Sequence, residues 1–243
     1  MAVHYRTMLT HELKKVAFSN HIDIIGVADP KVFDDVPVED RPMDILSDAK
    51  AVVVYAVRFE GASCLFEESW YKEMEELLTR IDKKLREFLT EKGYKAHSFV
   101  TEVDFKEELQ GLPPSERTHT LARQRRWRGV YYKLQDAAVA AGLGCIGKNR
   151  LLITPQHGPC AFLNMMVTDA PLVPDDPFAE DLCANCDLCL KACPTGAILK
   201  VNSVGHPDES LCKPRACHFA CLRACHEKFL KQRHQLSERQ KST

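Results

Sequence analysis

The most informative stretch of this 243-residue chain reads Cys183-Ala-Asn-Cys186-Asp-Leu-Cys189-Leu-Lys-Ala-Cys193-Pro194. Its cysteines follow the spacing Cys-x2-Cys-x2-Cys-x3-Cys-Pro, which is typical of loops that hold a four-iron cluster. The first three thiolates can bind three irons of one cluster, whereas the fourth cysteine of this motif characteristically ligates a second cluster. The motif therefore predicts another set of cysteines nearby.

A second set does follow, with spacings x4, x3 and x3: Cys212, Cys217, Cys221 and Cys225. Together the two sets supply eight thiolates, the number that two 4Fe-4S clusters need. We expect one cluster to be bound by Cys183, Cys186, Cys189 and Cys225. We expect the other to be bound by Cys193, Cys212, Cys217 and Cys221. A single cluster with four additional thiols is the alternative, because His226 stands where the second set would need a proline.

Two other uses of cysteine fit the pattern less well. Structural zinc favours separated Cys-x2-4-Cys or Cys/His pairs, and the first motif exceeds the needs of one tetrahedral site. A disulfide framework is typical of secreted chains below about 100 residues, whereas this chain is much longer and shows no secretory segment. We therefore expect reduced thiols and a cytoplasmic protein.

Composition excludes some classes of function. The chain is 45% hydrophobic and 28% charged, with a formal net charge of −1, which suits one sizeable core plus a small second domain. A near-neutral charge argues against a nucleic-acid partner. No stretch approaches the roughly 18 apolar residues of a membrane span, so we expect no membrane association.

The part of the chain before the cysteines alternates between helix and strand patterns. Thr10 predicts the N-cap of a helix that ends near Asn20, and apolar residues at intervals of three and four predict a helix from Trp70 to Phe88 that stops at Gly93. The predicted strands are Ile22–Ala28, Ala51–Val57, Lys95–Val100, Arg150–Thr154 and Ala161–Val167. Ala51–Val57 is apolar throughout, which is typical of a strand covered on both faces. The fold class predicted is α/β.

Two segments interrupt this alternation. Residues 101–129 show no period and contain an arginine run, which either forms a solvated face or binds phosphate. Residues 171–180 contain three prolines and are typical of a short stiff connector. We therefore expect an α/β cofactor-binding domain at 1–170 and an iron–sulfur domain at 181–226. Residues 227–243 are polar, and we expect a short helix that frays into a disordered tail.

A glycine loop (Gly142–Asn149) precedes the cysteine motif. Gly142, Gly144 and Gly147 free the backbone to turn or to approach a ligand closely. A helix precedes this loop, so it is not the strand-loop-helix fingerprint of dinucleotide-binding proteins. A helix C-cap followed by a hairpin is the structural alternative for the same residues.

Taken in chain order, the glycine loop, Leu151-Leu-Ile-Thr-Pro155, Val167-Thr-Asp-Ala-Pro-Leu172 and the cysteine motif resemble the epoxyqueuosine reductase family, a corrinoid-dependent group related to reductive dehalogenases. Asp23–Asp29 and Leu46–Val54 also resemble the opening of that family. The resemblance implies a cobalamin-binding α/β core with a C-terminal ferredoxin-like domain, in which two 4Fe-4S clusters deliver electrons singly to cobalt. It also implies corrinoid-binding residues at Gly142, Leu143, Gly144, Gly147, Lys148 and Asn149.

The chain departs from that family at the expected proton donor. Epoxyqueuosine reductases place an aspartate before the Ala-Gly-Leu-Gly turn, whereas this chain reads Trp127-Arg-Gly-Val-Tyr-Tyr132. Dehalogenase-like relatives use a tyrosine beside a basic residue, so Tyr131 or Tyr132 with Arg128 is the expected replacement. Packing residues with surface hydroxyls are the alternative. The family's tRNA-gripping helical repeats are also missing, so we expect no queuosine-tRNA substrate.

The leading hypothesis is an iron–sulfur oxidoreductase that uses a corrinoid to reduce a substrate the sequence does not identify. It would draw electrons from a carrier such as a ferredoxin or flavodoxin. The second hypothesis is an electron-transfer or corrinoid-reactivating protein that serves a small-molecule or corrinoid-protein partner and has no substrate of its own. An RNA-binding module that uses the arginine run is the third, and the near-neutral charge disfavours it.

Overall fold

The computed structural model describes residues 2–34, 46–60, 68–98, 134–199, 210–212 and 216–241. Contacts divide the chain into two units. The first unit comprises Met1–Val57, Tyr71–Leu143 and Phe162–Phe178, and the second comprises Arg58–Trp70, Gly144–Ala161 and Ala179–Thr243. The cysteine-rich region therefore shares its unit with Gly144–Ala161, which the sequence predicts to lie in the cofactor-binding domain.

The described helices are α1 (Ala2–Ser19), α2 (Glu68–Glu91), α3 (134–140), α4 (Leu188–Ala192) and α5 (Ala220–Lys241). The described strands are β1 (Ile24–Ala28), β2 (Ala51–Arg58), β3 (Ala96–Ser98), β4 (Cys145–Ile146), β5 (Leu152–Ile153) and β6 (Ala161–Thr168). Short 3-10 turns lie at Pro30–Phe33 and Ala197–Leu199. The mixed α/β class predicted from the sequence is confirmed.

Four strands form one sheet in the order β1-β2-β6-β3. The β1–β2 and β3–β6 pairs are antiparallel. The Lys50 N–H donates to the Thr168 carbonyl at 2.8 Å, and the Phe59 N–H donates to the Cys160 carbonyl at 3.2 Å, so β2 and β6 also run in opposite directions. The described part of the sheet is therefore antiparallel.

Both faces of the central strand β2 are covered, as its apolar run predicted. Every residue of β2 is buried except Arg58. On one face, Val53 and Tyr55 pack in the main core with Leu13 from α1 and Leu85 from α2. Tyr55 also donates a hydrogen bond to the buried Asp82 carboxylate at 2.7 Å, so this buried hydroxyl has a partner.

The first helix corrects a prediction, because α1 begins eight residues before Thr10. Thr10 is buried in the middle of α1 and is not its N-cap. Its hydroxyl donates to the Arg6 carbonyl at 2.8 Å and accepts from the Val173 N–H at 2.9 Å. The tertiary hydrogen bond from Val173 therefore accounts for a threonine at this position, and the local sequence gives no sign of that partner.

The predicted connector 171–180 is held tightly along most of its length. The Arg6 guanidinium donates to the Pro171 and Leu172 carbonyls at 3.1 Å. The Asp175 carboxylate pairs with Lys14 at 2.6 Å and accepts from the Val27 N–H at 2.8 Å. These bonds tie the segment to α1 and β1, so as far as Phe178 it is part of the first unit.

The last helix is longer than predicted. α5 continues to Lys241, whereas the sequence predicted a short helix followed by a disordered tail. Phe229 on α5 lies against Gly158, and Arg233 donates to the Gln156 carbonyl at 3.0 Å with its guanidinium over the Phe229 ring. These contacts stabilise the helix beyond the cysteines despite its polar composition. No helix among the described residues is both long enough and apolar enough to cross a membrane.

The glycine loop begins with a Schellman cap and continues into a hairpin. Gly142 has a φ of 76°, its N–H donates to Val139, and the Leu143 N–H donates to Ala138, which is the bonding pattern that ends a helix at a left-handed residue. Strands β4 and β5 then pair antiparallel. The structural alternative for this loop is therefore present, because a helix cap and a hairpin occupy these residues.

Gly26 of β1 lies where the end of α3 packs closely against the sheet. A Cβ at this position would collide with the Ala141 carbonyl oxygen, so we expect Gly26→Ala to lower the free energy of unfolding by about 1–3 kcal/mol through overpacking. Urea unfolding of the anaerobically purified protein would measure the loss.

Gly93→Asn is the matched control for that substitution. Gly93 has a φ of 84°, and a Cβ at this position would have no neighbour within 4 Å. Asparagine tolerates the left-handed region, so the expected loss is below about 1 kcal/mol. Equal losses in the two variants would show that Gly26 is not a close-contact position.

Candidate iron–sulfur site

The first cysteine motif forms a turn followed by the short helix α4. The Asp181 carboxylate accepts from the Cys183 N–H at 2.8 Å, and the Cys183 carbonyl accepts from the Cys186 N–H at 3.3 Å. Asn185 adopts a left-handed φ of 55°, which reverses the chain between these two cysteines. Cys189 then lies buried on α4, and Cys193 follows as its extended C-cap. The motif thus folds as a compact loop held by its own backbone hydrogen bonds.

The second set is built around the start of α5. His218 and Phe219 adopt left-handed φ values of 52° and 49°, and this sharp turn separates Cys217 from the helix. Cys221 and Cys225 lie on α5 four residues apart. Residues at this spacing lie on the same face of a helix, one turn apart, so the two thiols share one side of α5.

The thiols fall into two neighbouring groups. Burial, followed by the nearby thiols of Cys183, Cys189 and Cys186, raises the pKa of Cys225 to about 12. Burial, followed chiefly by the thiols of Cys217 and Cys212, raises the pKa of Cys221 to about 11. Cys225 therefore lies near the first triplet, and Cys221 lies near Cys217 and Cys212, with Cys189 as a weaker neighbour. Ligation by these thiols stays a prediction.

Cys193 has different surroundings. Burial acts to raise the pKa of its thiol, but hydrogen bonds from the backbone of Ile198, Thr195 and Ala197 and from the Thr195 hydroxyl together lower the pKa. The assignment of Cys193 to the second cluster stays a prediction. Within the described parts of the chain, no three His, Cys, Asp or Glu side chains are arranged to hold a single metal ion.

The glycines of the loop lie against protein atoms. A Cβ on Gly142 would come within 2.7 Å of the Asp176 carbonyl oxygen, and a Cβ on Gly144 would collide with the Ile153 carbonyl oxygen. A Cβ on Gly147 would lie 2.9 Å from the Asn149 side-chain oxygen. Close packing within the protein therefore accounts for these three glycines, and their role in binding a corrinoid stays a prediction, as does that of Leu143.

An open groove of about 560 Å³ lies next to the hairpin β4–β5. Gly147, Lys148 and Arg150 line one part of it, and Asp181, Cys183 and Asn185 line another. The groove therefore places the predicted corrinoid-binding residues Gly147 and Lys148 beside a predicted cluster ligand, all within the second unit.

Two buried donors at this hairpin have no acceptor among the described residues. The Nδ2 atom of Asn149, a residue that is only 7% exposed, and the Nε atom of Arg150 make no hydrogen bond there. A buried unsatisfied donor is costly and calls for an explanation such as a ligand or ion. Carboxamide or phosphate oxygens, such as those of the cobalamin that the resemblance implies, would satisfy both groups.

The predicted proton donors Tyr131 and Tyr132, with Arg128, lie outside the described residues, as does the whole arginine run. Sequence reasoning in turn missed Asp187, which binds Lys148, and Cys145, whose thiol lies beside Cys183. The position of Asp187 inside the cysteine motif is the feature of the sequence that could have pointed to it.

Comparisons with known proteins agree with the cysteine motif. Residues 177–199 match the family model of the 4Fe-4S binding domain. The chain is 54% identical over 69 residues to the epoxyqueuosine reductase of Listeria monocytogenes, a match that covers 28% of this chain and 18% of that protein. This chain is similar to epoxyqueuosine reductases. The resemblance predicted from the sequence is thus confirmed.

Solved structures agree on the fold. An epoxyqueuosine reductase solved with a tRNA stem loop matches with a TM-score of 0.58 and 22% identity, covering 84% of this chain and 56% of that one. A reductive dehalogenase studied for B12-dependent dehalogenation matches with a TM-score of 0.52 and 19% identity, covering 76% of this chain and 24% of that one. The chain thus spans little more than half of the solved epoxyqueuosine reductase.

The two thiol groups predict two separable clusters. Anaerobically purified protein should contain about eight irons and eight sulfides. Cys186→Ser should remove one cluster and Cys221→Ser the other, because each thiol belongs to a different group. Electron paramagnetic resonance of the reduced protein would resolve the two signals. About four irons in the unmodified protein would contradict the pair, and two intact signals in either variant would contradict the grouping.

Proposed function

We propose that this chain is an iron–sulfur oxidoreductase in which two 4Fe-4S clusters pass single electrons to a bound cobalamin for a reductive reaction. The observation that carries the proposal is the helix α5, on which Cys225 lies beside the first cysteine triplet and Cys221 beside the second set. Two clusters ligated from one helical turn would be close enough for rapid electron exchange. The similarity to epoxyqueuosine reductases supports the reductive chemistry.

The proposed cofactor would be held at the hairpin β4–β5. Asn149 and Arg150 would donate their unsatisfied N–H groups to carboxamide or phosphate oxygens. Cobalamin, when bound, supplies a cobalt centre that takes up electrons one at a time and reduces a carbon bonded to oxygen or halogen. The residues of the chain would bind and orient the cobalamin, and the cysteine thiolates would hold the two clusters.

The proposed reduction also requires a source of protons. Reduction of such a bond needs an acid within hydrogen-bond reach of the reacting atom. We assign this role to Tyr131 or Tyr132, with Arg128 stabilising the phenolate that proton transfer leaves. An electron carrier such as a ferredoxin or flavodoxin would supply the clusters.

Cobalamin binding should depend on the two unsatisfied donors. We expect the visible spectrum of cobalamin to change on titration with the protein, and Asn149→Leu to weaken binding by about tenfold, the value of one hydrogen bond. Arg150→Met should have a similar effect. Arg223→Met, a change at an exposed position on α5, is the control and should bind as the unmodified protein does.

Two outcomes would contradict cofactor binding at the hairpin. One is an unchanged spectrum with the unmodified protein, and the other is equal affinity in all variants. Gly144→Val is less useful for this purpose, because its side chain would collide with the backbone of β5 and disturb the hairpin itself.

The tyrosine pair provides the test of catalysis. Loss of a well-placed general acid costs about 10²- to 10⁴-fold in rate. The Tyr131→Phe, Tyr132→Phe double variant should therefore keep its clusters and cofactor binding and lose turnover of organohalides or epoxides in a reductant-driven assay. Undiminished turnover would assign the proton to another group.

A second candidate function is electron transfer to a partner without turnover of a substrate. The absence of a carboxylate in the sequence Trp127–Tyr132 favours it. In that case the reduced protein would reduce a corrinoid protein in solution, and no organohalide or epoxide would be consumed.

A further inference from the structure

Lys148 makes two contacts with the first cysteine loop. Its backbone N–H donates to the Sγ of Cys183 at 3.5 Å, and its Nζ lies 2.6 Å from the Asp187 carboxylate. The ion pair lowers the pKa of Asp187 and raises the pKa of Lys148, chiefly through this hydrogen bond. Two groups of one residue therefore bind two positions of the cysteine motif.

A second residue of the same hairpin, Cys145, lies near the same loop. Burial raises the pKa of the Cys145 thiol, while the nearby backbone N–H groups of Leu182 and Cys183 act to lower it. Cys145 begins β4, three residues before Lys148. The Cys145 thiol therefore lies near the start of the cysteine loop, on the same hairpin whose turn carries the Lys148 N–H.

Stability does not explain the ion pair. The Lys148 and Asp187 side chains are 42% and 55% exposed, and ion pairs that are this exposed contribute little to the stability of a protein. Asp187 also makes no capping hydrogen bond to α4. The ion pair does, however, belong to the same residue whose backbone N–H donates to the Cys183 sulfur.

We propose that the Lys148–Asp187 ion pair positions the Lys148 N–H on the Cys183 sulfur and thereby raises the reduction potential of the cluster that Cys183 ligates. Hydrogen bonds to a ligand sulfur stabilise the more negative, reduced cluster. The inference rests on the proposed function only for the presence of a cluster at Cys183. Lys148 is a positioning residue here, since its backbone group contacts the ligand and its side chain holds that backbone in place.

The sign of one potential shift separates this proposal from a simple charge effect. Asp187→Ala removes a negative charge near an anionic cluster, and the charge change alone makes the potential more positive. Loss of the N–H···S bond makes it more negative. We expect a more negative potential for the first cluster in an anaerobic redox titration followed by electron paramagnetic resonance.

Glu180→Ala is the matched control. Glu180 is an exposed carboxylate close to the same loop in sequence, and its removal should leave the potential unchanged or make it more positive. Asp187→Asn keeps a hydrogen-bond acceptor for Lys148 and should give a smaller negative shift than Asp187→Ala. This milder variant tests the proposal if Asp187→Ala loses its cluster.

A direct readout is the proton itself. After exchange into deuterated buffer, electron-nuclear double resonance of the reduced protein should show a deuteron coupled to the first cluster, and Asp187→Ala should lose that coupling. A positive or absent potential shift with the coupling retained in both Asp187 variants would overturn the proposal. Unmodified protein with no signal from a cluster at Cys183 would overturn the proposed function as well.

Discussion

The arrangement of Cys221 and Cys225 on one turn of α5 is the constraint on which the rest of the candidate site depends. A rise of 1.5 Å per residue sets the two positions about 6 Å apart along the helix axis. Cys225 has the first triplet as neighbours, and Cys221 has chiefly Cys217 and Cys212, with a weaker influence from Cys189. A single rigid helix therefore fixes the distance between the two thiol groups, which loops alone would leave adjustable.

The remainder of the second unit supports that helix. Beyond the cysteines the surface of α5 is polar, so this part of the helix has little apolar area of its own to bury. Phe229 lies on Gly158, whose φ of 59° belongs to the turn after β5, and Arg233 binds the Gln156 carbonyl. The hairpin β4–β5 in turn contacts the first cysteine loop through Lys148. Both cysteine sets are thus held by the same short segment of chain.

Sequence reasoning succeeded where the physical signal is local. Apolar runs predicted β2 and β6, the helical period predicted α2, and the cysteine spacing predicted the 4Fe-4S motif that residues 177–199 match. It failed where a distant partner decides the outcome. The Thr10 pattern predicted a helix cap, but Val173 explains the residue, and the polar tail predicted disorder, whereas Gly158 supplies a surface for Phe229. The Lys148–Asp187 pair has no local signal, because its two residues lie far apart in sequence.

X-ray diffraction from anaerobically grown crystals, recorded on both sides of the iron absorption edge, tests the central claim most directly. The account predicts two compact anomalous peaks, one bounded by Cys183, Cys186, Cys189 and Cys225, and the other by Cys212, Cys217 and Cys221 with Cys193. A single peak, or Cys221 and Cys225 on the same cluster, would contradict it.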